Sequence, residues 1–84
     1  MQYEKMDEKV EMIAHFAPGK VHPLRFLWRG RPHKVTAVRG RWTTVDGRRK
    51  RCHFAVQAEG VGSCEIMFDL ESLAWAIQSI AVDS

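Results

Sequence analysis

The chain has 84 residues, 45% of them hydrophobic and 27% charged, with a formal net charge of +3. That length supports one domain with a single small core, and the balance excludes a wholly disordered chain. No apolar run approaches the ~20 residues of a membrane-spanning helix. The opening MQYEKMDEKVEM carries acids where a secretory leader needs a basic and then an apolar region, so a cytoplasmic protein is expected.

Cys52 and Cys64 are too few for the disulfide framework of a small secreted scaffold. There is no CxxC, and His15, His22, His33 and His53 lack ligand spacing, so neither a metal nor another cofactor is expected. The charge is unevenly spread. Residues 1–19 set Lys5 and Lys9 against Glu4, Asp7, Glu8 and Glu11, for a net of −2. Residues 20–53 set eleven Lys and Arg against Asp46 alone, for +10, and residues 54–84 carry only acids, for −5. Such polarisation matters to a partner only where the fold gathers it onto one surface.

In chain order, residues 1–9 are polar and read as a flexible tail, with a single domain over residues 10–84. Val10 to Phe16 alternates, with Val10, Met12, Ala14 and Phe16 on one face. After Pro18-Gly19, a turn, comes the densest aromatic and branched stretch, Val21 to Trp42. Leu24, Phe26 and Trp28 share a face there, opposite Arg25, Leu27 and Arg29, with a turn at Arg29-Gly30-Arg31-Pro32. Lys34 to Arg39 alternates again, and Asp46-Gly47 is a strong hairpin signal.

Arg51 to Glu59 alternates most cleanly, with Cys52, Phe54, Val56 and Ala58 inside. Gly60-Val61-Gly62 turns the chain, and Ser63 to Asp69 buries Cys64, Ile66 and Phe68. Centred on that turn, Ala58 lies near Cys64, which sets the two thiols ~20 Å apart and free. Residues 70–82 fit both helical and strand spacing; a loop over 70–74 followed by a strand is the preferred reading. Turns every dozen or so residues indicate an all-β antiparallel meander of about six strands, curled into a bent sheet or small barrel. Phe26 and Trp28 are expected in its core beside Phe54 and Val56.

Five stretches carry a resemblance: Ile13 to Phe16, Pro23 to Arg31 (PLRFLWRGR), Arg41-Trp42, Phe68-Asp69 and Trp75 to Asp83. Together they resemble a small uncharacterised bacterial domain family with an RPLRFRWRGR-like core and a closing tryptophan strand. The likeness spans about residues 10–83, with Leu27 where an arginine is common in the family. It implies no activity and no catalytic residue. Related domains stand alone or are appended to translesion-type DNA polymerases, and that association implies nucleic acid.

The residues themselves suggest no enzyme. No serine sits in a nucleophile elbow, and no glycine-rich phosphate loop is present. Glu65 and Asp69 are four apart on one strand, ~13 Å, too far for paired-carboxylate hydrolysis, and read as an exposed acidic row. Among the tryptophans, parity assigns Trp28 and Trp75 to the core. Trp42, at a strand end beside Arg41, fits core and base-stacking platform equally.

Arg25, Arg29, Arg31, Lys34, Arg39, Arg41, Arg48, Arg49, Lys50 and Arg51, with Trp42, are the candidate nucleic-acid-binding residues. The expected protein is a small non-enzymatic binding module that contacts the DNA or RNA backbone through a basic patch. The alternative is a protein-interaction or homo-oligomeric module, motivated by Leu27, Met67, Ile80 and Val82 on faces that should be wet.

Overall fold

Each turn signal closes a hairpin. The computed structural model describes residues 2–82; Met1, Asp83 and Ser84, the last two closing the expected domain, lie outside the described residues. Six strands follow in order: β1 (Gln2–Ala17), β2 (Lys20–Trp28), β3 (Arg31–Asp46), β4 (Arg49–Ala58), β5 (Gly62–Asp69) and β6 (Trp75–Val82). All neighbours are antiparallel, and β1 pairs with β6 to close the meander into a small barrel. No helix occurs among the described residues.

Two 16-residue strands make the closure possible. β1 gives its first half to β6 and its second half to β2. β3 pairs with β2 only over Arg31–Lys34, then runs along β4 from Val35 to Asp46. β-Bulges let such strands bend from one sheet into the next. The registers slip between Lys5 and Glu8 on β1, and twice between Val35 and Gly40 on β3.

The expected tail at residues 1–9 is therefore strand from Gln2 onward. Its pattern is masked by the slip, where Asp7 takes a φ of 50°. Met6 and Val10 pack against the core. Glu8 accepts hydrogen bonds from Trp28 Nε1 at 3.0 Å and Arg29 Nη2 at 2.6 Å, fastening β1 to the β2–β3 turn. The guanidinium donor, then the indole N–H, holds the Glu8 carboxyl below its ordinary range.

In the β2–β3 hairpin, Arg29 and Gly30 both have positive φ, 53° and 76°, the signature of a type I′ turn. The next hairpin centres on Gly47-Arg48, one residue beyond the Asp46-Gly47 signal, because Asp46 pairs with Arg49. The β4–β5 loop turns at Gly60, whose φ is 80°. A Cβ there would come 3.1 Å from His33 Nδ1, which donates to the Glu59 carbonyl at 2.9 Å. Only glycine suits both constraints.

The core holds Phe26, Phe54, Val56, Ala58, Cys64, Ile66, Phe68, Trp75 and Ile77, with Trp28 half-buried against it. Trp75 stacks on Phe54 and Phe68 at centroid distances of 5.7 and 4.7 Å. The core parity expected for β4 and β5 holds, and residues 70–74 form a loop before β6.

Three face assignments change. Leu24 is 42% exposed while Pro23 is fully buried. Ile13 pairs with Arg25 and Ala14 with Pro23, so Leu24 is the extra residue of a bulge that flips the face. Phe16 is also exposed, with its ring edge on Phe68. Ile80, expected on a wet face, packs against the core because a slip near Gln78 sets it opposite Cys64.

The thiols are free, as the spacing required. The β4–β5 loop centres earlier than expected, so Cys64 faces Val56 and Cys52 faces Phe68. Four residues along β4, ~13 Å, separate them instead of ~20 Å, still beyond disulfide reach. Cys52 is half-buried; burial pushes the Cys64 thiol up to about 11.

Candidate nucleic-acid interface

The candidate cations lie on both portions of the long β3 strand and on the strands beside it, and the fold divides them. Arg25 pairs with Lys34 on the outer face of the β1–β2–β3 side, and Arg31 begins β3 opposite Trp28. All three are exposed. Arg39, Arg41, Arg48, Arg49, Lys50 and Arg51 belong to the β3–β4 hairpin, at the other end of β3. One continuous basic surface would need both groups on one side, and β3 bends between them.

Four candidates have partners within the chain. Arg29 pairs with Glu8 and lies over the Trp28 ring, 4.6 Å from its centroid. Arg41 shares the inward parity of its cross-strand partner Phe54 and sits over that ring. Its guanidinium reaches across to the Val21 carbonyl and to His22 Nδ1 at 2.8 Å. The contact bridges β2 and β3 where their backbones no longer pair. Arg49 Nε donates to Asp69 Oδ2 at 3.1 Å, and Arg51 Nε lies 3.7 Å from the same oxygen.

Asp69 corrects the reading of an exposed acidic row, being only 5% exposed. Its Oδ1 accepts the backbone N–H of Glu71 at 2.9 Å and of Ser72 at 3.3 Å, which shapes the loop before β6. Those backbone donors first, then Arg49, hold the carboxyl below its ordinary range.

Among the described residues, no carboxylate pairs with Arg25, Arg31, Lys34, Arg39, Arg48 or Lys50. Arg48 and Lys50 stand on an arm. Every residue from Arg41 to Lys50 is exposed, and β5 ends opposite Arg51, leaving the last pairs of the hairpin as a two-stranded ribbon. The molecule is correspondingly long, 37 × 24 × 23 Å.

Trp42 lies at the base of this arm, 42% exposed. It is no core residue. Its ring stacks on His53 of β4 at 5.3 Å and an interplanar angle of 7°. His53 Nε2 is hydrogen-bonded to Thr44 Oγ1 at 2.8 Å, which steadies the pair. Arg39, the extra residue of the β3 bulge, shares a shallow groove with Trp42, Tyr3 and Glu65.

Sequence reasoning missed Tyr3, Glu8, His53 and Asp69. Tyr3 is the one aromatic in the charged N-terminal run. The ion-pair roles of Glu8 and Asp69 had no local signal, since Arg29 and Arg49 lie some twenty residues away; the turn that Asp69 makes with Glu71 and Ser72 is local.

A second feature lies on the far side of the barrel. Ile13, Leu24 and Leu27 are exposed there beside Pro32. Arg25, Lys34, Glu11 and Glu59 border them. No protein-family model matches the chain, and no curated protein or solved structure matches it significantly.

Proposed function

We propose that this protein is a non-enzymatic module that binds DNA or RNA by its phosphate backbone through the β3–β4 arm. The observation that carries this reading is the exposed arm on which Arg48 and Lys50 have no carboxylate partner among the described residues, backed by Arg39 at its base. Phosphate contacts need mobile, accessible cations, and bound cations such as Arg29 and Arg49 contribute less because their charge is already opposed. No helix is present among the described residues to enter a major groove, so base discrimination in duplex DNA should be slight.

The test is affinity against salt. Binding of short oligonucleotides should fall in the ~10⁻⁴–10⁻⁶ M range at physiological salt and weaken steeply as salt rises. Combining Arg39→Gln, Arg48→Gln and Lys50→Gln should flatten the log–log salt slope by about 2–3, at ~0.7–0.9 per lost phosphate contact. The melting temperature should hold within about two degrees, because exposed substitutions without partners cost little. Absence of binding by the wild-type protein at about 50 mM salt would overturn the reading, since electrostatic attraction is strongest there.

The patch around Ile13, Leu24, Leu27 and Pro32 favours a second reading, self-association. Its border carries both signs of charge, so a second copy could oppose Arg25 and Lys34 with Glu11 and Glu59. A monomeric mass at high protein concentration would exclude it.

A further inference from the structure

The open edge of β3 and the fixed ring of Trp42 belong together. After Lys34, β2 and β3 no longer pair, so from Thr36 to Asp46 β3 has a strand neighbour only on its β4 side. Its other edge presents backbone donors and acceptors that no strand satisfies. His53 sits on β4 and covers the Trp42 face that looks that way. The opposite face of the indole therefore looks out over the open edge. Lys20 and Arg41 line one cleft together with Trp42, and Arg39 lines a second groove with it.

This juxtaposition is unlike a tryptophan that merely fills space. A buried indole packs its faces against neighbours, and Trp75, 7% exposed, stacks with both Phe54 and Phe68. Trp42 is stacked on a histidine that Thr44 anchors, and the residue stays 42% exposed. A rigid aromatic face beside cations suits a flat π-system attached to an anion. An unpaired nucleotide has that chemistry; a base inside a duplex has both faces already stacked.

Resting on the nucleic-acid reading above, we infer that the free face of Trp42 stacks an unpaired base over the β3 edge, making the protein a single-strand binder. Lys20 and Arg39 flank the strand's phosphates, and the β3 backbone meets base edges without strong selection. His53 acts as a positioning residue that supports the ring from behind.

Fluorescence gives the test, because Trp42 is the most exposed of the three tryptophans. An oligothymidylate of about ten nucleotides should quench the emission and bind at least about tenfold more tightly than a duplex of equal length. Trp42→Ala should erase that preference, weakening single-strand binding by about five- to a hundred-fold, the range of one stacked base. The salt slope should stay unchanged, since no phosphate contact is removed. Trp42→Phe should restore part of the preference, and Trp42→Leu, which keeps bulk without a π-face, should not. Equal affinity for both forms, or single-strand affinity indifferent to Trp42→Ala, would overturn stacking and leave backbone binding standing. Failure to bind either form at low salt would overturn both.

Discussion

Phe26 is 1% exposed and touches the His33 ring at a centroid distance of 5.3 Å, inside the short ladder where β2 and β3 meet. Removing its ring would leave a cavity that rigid strands on both sides cannot close. Phe26→Ala should cost about 3–5 kcal/mol. For a domain of this size, total stability is about 4–13 kcal/mol, so the variant should lose a large fraction of it. Urea unfolding measures this; a midpoint near that of wild type would show the site collapsing without cost. Leu24, two residues earlier, should tolerate alanine with little loss, because the bulge turns it outward.

Strands β1 and β3 are the elements that make a barrel out of a meander, and each does so by serving two neighbours. The first nine residues are therefore structural. They supply the whole β1–β6 ladder except its last pair, together with Met6 in the core and Glu8 on the β2–β3 turn. A chain starting at Val10 would expose the edge of β6 and part of the core. It should lose the cooperative thermal transition of the full chain and aggregate through that unpaired edge. Circular dichroism melting checks this, and a truncated chain that melts like the parent would restore the view of these residues as a tail.

At the scale of the whole molecule, the acidic and basic thirds of the chain are sewn together at a few points. Glu8 holds Arg29, and Asp69 holds Arg49 and Arg51. Both carboxyls release their protons more readily when folded than when unfolded, the first through Arg29 and the second through the Glu71 backbone N–H. Their contribution is thus complete above the ordinary carboxylate range. It is lost as pH falls through and below that range, toward the depressed folded values. Melting temperature should be flat from neutral pH to about 5 and decline below about 4. Asp69→Asn should melt lower at neutral pH and show a shallower acid decline. Equal melting at neutral pH would remove Asp69 from this account.

The alternation of Cys52, Phe54, Val56 and Ala58, and of Cys64, Ile66 and Phe68, was enough to place β4 and β5 and most of the core. Period-two patterns survive wherever a strand has one buried face and no bulge. Glycine-containing turns were legible for the same local reason. By itself the sequence determined an all-β meander, the clean strands, the free thiols and the unequal charge of its thirds. Tertiary structure alone decided the rest. Bulges at Leu24, Asp7, Arg39 and Gln78 reverse parity for reasons that lie in strand bending, which no local pattern records. Closure through β1 and β6 joins residues up to eighty apart in sequence. The basic stretch likewise reads as one block, but because β3 bends and distant carboxylates claim particular guanidinia, it becomes two separate groups, with Trp42 partly exposed at the base of one of them.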